Sequence, residues 1–589
     1  MTMFVKLMFP RGINRICLSF ALALAFALGE AVARPQTVSA DFGDRHGWTP
    51  VVPSGMFGVG GVGSTLSDPG TIGRLTAAGL SGTRFEISLW EIYKTKKKPY
   101  FRSLDRILEK MQDTGVHPIG VIFGTPPSLG EKKCSPPRDV WRWGQLAASV
   151  VAHVNENFPG LMTDYEIWNE PELAESLCAR DDAARLDSYV SMFAAASSAM
   201  HTQAELDGQP IRTGGPVISR MAFAPVWIPT LLDNPGTAPY VDFVSFHLYV
   251  TGQPDIDKKM NWAHLYSITQ SGTQGLIHYY NVIEALVRAG HQPHPASTPI
   301  YITEYNDNWA YSADCCRNHP TFAPLWNSLA VSDLLNVVYS GASTVPNRLM
   351  YFNAAGPPFC IMGEWNSKMD CNPSVAEPYP QFYAYALFAS PDYLDLQAGG
   401  HMAASVTPAS TTGGLTATAF YTNKADSVVV INPSSRDYGA VKINLINPGL
   451  TSETGEAYLL NSSHGWITSE PVTLNWISGG YSATVNLPGY SIVALSIKGG
   501  PAGSAPSAAL TVTPKSGRHP LTVDIDSSQS QRGGSYIIGR TIDFGDGRWL
   551  NWTPTTSYTY KKAGTYTIRL SVRNQSGQLS TTSEVVTVH

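Results

Sequence analysis

Charge is scarce in this chain: 15% of its 589 residues are Asp, Glu, Lys or Arg, and they balance to a net −5. No basic surface is available to neutralise phosphates, which excludes nucleic acid as a partner. Cysteine is also sparse, seven residues in all. No paired CxxC or HxxxH spacing occurs, so neither a zinc site nor any other metal is expected. Long apolar runs are missing after the first thirty residues, so no membrane span is expected there. What the chain has in quantity is apolar residues, 43%, enough for several cores, and a length that implies two or three domains. Its 14 Trp and 27 Tyr suit sugar stacking and β-rich cores equally.

The N-terminus carries an export pattern. Lys6, Arg11 and Arg15 precede the apolar run from Ile16 to Leu28, and Ala31-Val32-Ala33 supplies the small-x-small site that signal peptidase reads. The pattern predicts a signal peptide over residues 1–33 and a secreted or periplasmic protein. The apolar run is shorter than the roughly 20 residues of a membrane-spanning helix. Cys17 leaves with the signal, and six cysteines remain in an oxidising compartment. The expected pairing joins Cys134 to Cys178 and ties Cys315 and Cys316 to the loop carrying Cys360 and Cys371.

Over residues 55–395, strand-like runs alternate with stretches of helical period. Eight strand candidates occur: Met56 to Val62, Gly82 to Leu89, Pro118 to Phe123, Thr163 to Asn169, Ile211 to Pro216, Asp242 to Tyr249, Ile300 to Tyr305 and Arg348 to Asn353. Helices are expected at 103–114, 139–157, 183–204, 275–289, 322–339 and 380–388. This rhythm predicts a (β/α)₈ TIM barrel. From residue 396 to 498 short β runs predict an accessory β-sandwich, to which residues 34–54 can add a strand. A Gly/Pro/Ser stretch over 499–507 reads as a linker, and residues 508–589 as a further domain.

The candidate chemistry lies at strand ends. Asp164-Tyr-Glu-Ile-Trp-Asn-Glu-Pro171 delivers Glu170 on the fourth strand, and Pro299-Ile-Tyr-Ile-Thr-Glu-Tyr305 delivers Glu304 on the seventh. Two carboxyls facing each other across a barrel mouth are what glycosidic-bond cleavage requires, one protonated and one ionised. Asn169 can hold a sugar hydroxyl. In Ser245-Phe-His-Leu-Tyr249, His247 and Tyr249 are two apart and share a face, and Tyr249 can donate to the nucleophile. Arg84 can keep Glu304 ionised, Glu166 is read as a barrel-interior residue, and Trp309 is a candidate sugar platform. This chemistry needs no cofactor.

These motifs resemble clan A glycoside hydrolases, and most of all family 39: Trp168-Asn-Glu-Pro171, Gly214-Gly-Pro216, Asp242-Phe-Val-Ser-Phe-His-Leu-Tyr249 and Ile302-Thr-Glu-Tyr305 follow that family's pattern in order. The resemblance covers most of residues 40–497. It implies a barrel with a β-sandwich, retention of configuration, Glu170 as acid/base and Glu304 as nucleophile. Two departures stand out. Gly58-Val-Gly-Gly-Val-Gly63 occupies the region where family 39 xylosidases often place a His, and Tyr351-Phe-Asn353 ends the eighth strand where many clan A enzymes have Trp. The last segment, with Asp543-Phe-Gly-Asp-Gly547 and Ala563-Gly-Thr-Tyr-Thr-Ile568, resembles a PKD-type module, an immunoglobulin-like sandwich that can contact polysaccharide or protein. Its Asp543 and Asp546 are read as turn residues.

The leading expectation is a secreted retaining hydrolase of plant or microbial poly- or oligosaccharide. The alternatives are a non-catalytic carbohydrate-binding or adhesion protein, and a transglycosylase using the same covalent intermediate. Sugar, linkage and oligomeric state are not legible in the chain.

Overall fold

The structure, a computed structural model, describes residues 36–42, 51–61, 69–95, 98–251, 261–273, 275–309, 319–354, 361, 364–365, 371–372, 378–397, 399–407, 414–422, 425–448, 454–461, 465–498, 505–531, 537–551, 555–574 and 579–589. The expected signal peptide, Cys315, Cys316 and Cys360 lie outside these, and of Cys371 only the backbone is described.

Eight parallel strands close into a barrel: β1 (Phe57–Gly60), β2 (Gly82–Ser88), β3 (His117–Phe123), β4 (Asp164–Ile167), β5 (Arg212–Ile218), β6 (Phe243–Thr251), β7 (Ile300–Asn308) and β8 (Arg348–Phe352), with β8 returning to β1. The eight expected strands are all present, because each is a short apolar run that a parallel barrel buries on both faces. Gly58 is required by this closure: a Cβ there would lie 2.5 Å from the carbonyl oxygen of Gly82. At the N-terminal end the interior is plugged by Ile119, Phe243, Tyr301 and Met350. Below them Arg212 pairs with Asp164 at 2.8 and 2.7 Å.

Around the barrel lie α1 (Pro69–Ala77), α2 (Leu89–Ile92), α3 (Arg102–Met111), α4 (Val140–Asn157), α5 (Asp182–Asp207), α6 (Ala224–Asp233), α7 (Trp262–Thr269), α8 (Leu276–Ala289), α9 (Phe322–Asn336) and α10 (Pro380–Ala389). Local chemistry sets several ends. Asp139 and Asp181 accept from the backbone N–H three residues on, at 2.9 and 2.8 Å, and so cap α4 and α5. Gly208 ends α5 with φ +66°, a left-handed conformation glycine adopts without a Cβ clash. Helices α1, α2, α6 and α7 were not expected; α6 contains Pro229 and begins after Phe223 without a side-chain cap, so its usual signals are weak.

Two further sheets form the accessory sandwich. One runs in the order Ser405–Thr407, Gln36–Asp41, Tyr438–Ile446, Gly480–Leu487, Asn475–Ile477, with Gln36–Asp41 parallel to Tyr438–Ile446. The other has six strands, from His401–Met402 to Thr468–Thr473. Alternate residues of the six-stranded sheet serve two cores. Val428 and Val430 face the first sheet, while Val429 and Ile431 join the barrel's own core. The described strands between residues 511 and 588 form three- and five-stranded sheets around a separate core that includes Val523, Ile542 and Leu570. In this last unit Asp543 accepts from Gly545 N–H at 2.8 Å, and Asp546 from Arg548 N–H at 3.2 Å, the hydrogen bonding of turn residues.

Candidate active site

The site forms where β4 and β7 end, and the backbone there departs from the expected strand. β4 stops at Ile167; Trp168 and Glu170 then take φ +70° and +44°, and Val217 at the end of neighbouring β5 takes +58°. Such conformations are costly for residues with a Cβ. They turn the chain so that Glu170 leaves the sheet, its N–H donating to the Val217 carbonyl at 3.1 Å. Register shifts at Pro216/Ile218, Phe246/His247 and Ile302/Tyr305 cluster at the same end of the barrel, where bulges re-aim side chains.

Arg84, on β2, is the hub. Its Nη1 donates to Glu304 Oε1 at 2.7 Å, its Nη2 to Asn169 Oδ1 at 2.8 Å and its Nε to Glu166 Oε2 at 2.6 Å. Burial by itself would lower the Arg84 pKa, but Glu166 and Glu304 overcome this and hold it above its ordinary value. The Tyr249 hydroxyl donates to Glu304 Oε2 at 2.6 Å, so both oxygens of Glu304 are held by donors. Donors of this kind stabilise the ionised carboxylate.

Glu170 is in a different setting. Burial is the main reason its pKa rises to about 7, against the opposing pull of Arg84 and the Ser219 hydroxyl. His247 Nδ1 lies 2.7 Å from Glu170 Oε1 and 3.4 Å from Glu304 Oε2. Burial lowers the His247 pKa despite Glu304, and its Nε2 is buried with no hydrogen-bond partner. An orphaned buried N–H is rarely tolerated, so the hydrogen belongs on Nδ1, donating to Glu170 Oε1 and leaving Oε2 for the acidic proton.

Donor atoms of Glu170, His247 and Glu304 all lie within 4.8 Å of one another. Such a set can hold a cation. Here Arg84 and Tyr249 already occupy both oxygens of Glu304, and the guanidinium charge beside them opposes a second positive charge. The donor set fits proton chemistry better.

The structure thus gathers Arg84, Asn169, Glu170, His247, Tyr249 and Glu304 into one cluster. Trp309 does not join it: it stands one residue past β7, half exposed at 50%. Glu166 is fully buried against Arg84 inside the barrel. Three residues were missed. Phe352 ends β8 with its ring edge-on to Tyr249 at 6.5 Å. Glu172 and Ser219 pack behind Glu170, joined at 2.9 Å. A carboxylate two residues after an Asn-Glu pair has no sequence mark of its own, whereas an aromatic at the end of the eighth strand was a readable signal for Phe352.

The disulfide Cys134–Cys178 joins the loop after β3 to the loop that follows Glu170.

Comparison with known proteins agrees with this fold. Residues 87–359 match the family Glycosyl hydrolases family 39, and residues 503–588 match the PKD domain. A beta-xylosidase of Geobacillus stearothermophilus is 26% identical over 230 residues, which span 36% of this chain and 42% of that protein, under half its length. Among solved structures, the GH39 enzyme from Xanthomonas axonopodis pv. citri superposes with a TM-score of 0.55 at 15% identity, covering 79% of this chain and 97% of that one. A monomeric beta-xylosidase from Caulobacter crescentus CB15 gives 0.55 at 14%, covering 79% and 99%. At such identities the superpositions speak for the fold alone. Residues 87–359 thus match a family 39 glycosyl hydrolase domain and residues 503–588 a PKD domain, with the strands of the β-sandwich between them in the chain.

Proposed function

We propose that the protein is a secreted retaining glycoside hydrolase that cleaves O-glycosidic bonds of a plant or microbial poly- or oligosaccharide. The observation that carries the reading is that one carboxyl oxygen of Glu170 and one of Glu304 lie within 4.8 Å of each other. Retaining enzymes place their carboxyls roughly 5–5.5 Å apart, whereas inverting enzymes leave about 6.5–9.5 Å for a water. The xylosidase relative makes xylosides the first substrates to try. The export pattern and the Cys134–Cys178 bridge support an oxidising, extracytoplasmic compartment.

The reaction follows from the two environments. Glu304, held ionised by Arg84 and Tyr249, attacks the anomeric carbon while Glu170 passes its proton to the departing oxygen. A covalent glycosyl-enzyme results. Glu170, now a carboxylate, takes a proton from water, which displaces Glu304 at the same carbon; the configuration is retained and Glu170 is reprotonated. Asn169, oriented by Arg84, is placed to hold a hydroxyl of the bound sugar, whose hydrogen bond strengthens in the oxocarbenium-like transition state. Phe352, edge-on to Tyr249, offers an aromatic ring beside the residue that donates to Glu304.

The test is product analysis by mass spectrometry and proton NMR, with wild type and Glu304→Gln incubated against aryl xylosides and a panel of plant and bacterial polysaccharides. Released sugar of retained configuration, absent from Glu304→Gln, is the expected result. Inverted product would overturn the mechanism. Binding without cleavage by the wild type would overturn the enzyme.

A further inference from the structure

Above Arg84 the barrel mouth carries an ion pair that the reaction does not use. Alternate residues of a strand face one side, so Glu86 on β2 points where Arg84 points, one step nearer the C-terminal end. Arg84 identifies that side as the barrel interior by reaching Glu304 and Glu166. On neighbouring β3, Phe123 shares a side with Ile119 of the interior plug and ends the strand at the mouth. Lys133, from the loop after β3, meets both. Its Nζ donates to Glu86 Oε2 at 3.3 Å and lies 4.5 Å from the centre of the Phe123 ring. Phe123 in turn packs against Trp168 at 4.8 Å, one residue before Asn169 and two before Glu170.

The Lys133 and Glu86 side chains are 40% and 48% exposed, and so open an ion pair adds little to stability. It is nevertheless held in place. The Lys133 carbonyl accepts from Thr125 N–H at 2.8 Å, and the next residue, Cys134, is bridged to Cys178 and accepts from its N–H at 2.8 Å. Among the described residues the ammonium gives one hydrogen bond and Glu86 takes one. An ammonium has three donors and a carboxylate two acceptor oxygens, so both keep capacity at the mouth. Because the two charges offset each other, a carboxylate on a sugar would meet Glu86 as well as Lys133. Two neighbouring hydroxyls of a neutral sugar find a donor in one and an acceptor in the other.

We propose that Glu86 and Lys133 form a sugar-binding pair that grips adjacent hydroxyls of a saccharide unit at the barrel mouth and selects for a neutral sugar. The proposal rests on reading that mouth as the sugar cleft.

The test is calorimetric titration of Glu304→Gln, which binds without cleaving, with xylohexaose, cellohexaose and mannohexaose as neutral probes and hexagalacturonate as the anionic one. At least one neutral hexasaccharide should bind, and more tightly than hexagalacturonate. Adding Lys133→Met, which keeps the stem against Phe123, or Glu86→Gln should weaken that binding about tenfold each, and the two together by less than the product of the singles, since the residues act as a unit. Lys133→Arg should restore most of the loss. A merely structural pair would instead lower Tm and leave the affinity of the folded variants unchanged. Undiminished binding in folded Lys133→Met and Glu86→Gln, preference for hexagalacturonate, or no binding of any neutral probe would overturn the inference. Weakened binding in the variants with no turnover by the wild type would fail the proposed function instead, and turnover with undiminished binding in the variants would fail only this inference.

Discussion

Glu170 and Glu304 are the same residue type with opposite assignments, and surroundings alone separate them. Glu304 is gripped at 2.7 and 2.6 Å by a guanidinium and a phenol, whereas burial raises Glu170 to about 7. Since Glu170 must be protonated to act as an acid, kcat/KM should fall as pH rises through about 7, and Glu170→Gln should remove that limb from the pH–rate profile. Stability carries the same sign. Between about 4.5, where a free Glu ionises, and about 7 the folded state keeps a proton that the unfolded chain has lost, so Glu170 makes stability fall as pH rises across that window. The Tyr249 hydrogen bond to an ionised partner is worth about 1.5–3 kcal/mol. Tyr249→Phe should therefore lower kcat/KM by roughly 10- to 100-fold with the fold intact by circular dichroism. Arg84, Asn169, His247 and Tyr249 were readable because each occupies a position on or just after a barrel strand. Glu172 and Ser219 were not, because their meaning comes from a contact between two loops 47 residues apart.

Among the elements, the loop after Glu170 and helix α9 show where local pattern stops being informative. The loop is stapled by Cys134–Cys178 across 44 residues, and the Cys134→Ser/Cys178→Ser protein should lose about 2–4 kcal/mol in urea denaturation. Helix α9 was expected as a helix, but its burial on every side from Ala323 to Leu335 is set by what packs around it and has no mark in its sequence. Within it Asp333 is buried and accepts from Gln270 Nε2 at 2.6 Å. Burial lifts its pKa to about 7, the hydrogen bond opposing. The folded state is then penalised increasingly as pH climbs from about 4 to about 7. Asp333→Asn should raise Tm relative to wild type at pH 8, with the gain fading below pH 4 in scanning calorimetry. Strand β4 also shows the limit. The apolar run through Trp168 reads as strand, yet the chain turns at Trp168 because Glu170 N–H bonds to Val217 on the neighbouring strand, a tertiary contact.

In the molecule as a whole, which cores are shared matters more than how the chain is divided. Val429, Ile431, Tyr458 and Ile492 of the six-stranded sheet belong to the barrel's hydrophobic cluster, while the PKD core is built from its own residues. Truncation after residue 498 should accordingly shift the Tm of the remainder by less than about 2 °C, the behaviour of a domain with its own core. Truncation after 395 should yield no folded protein, since it uncovers α9 and α10.

By itself the sequence determined the barrel, its eight strands and the candidate carboxylates, because strand periodicity and the placement of residues at strand ends are local properties of the chain. Tertiary structure alone decided that the two carboxyls approach within 4.8 Å, that Arg84 binds three partners at once and that Glu172 stands behind Glu170. Distance, burial and the ionisation they set arise only when segments far apart in sequence are packed out of water.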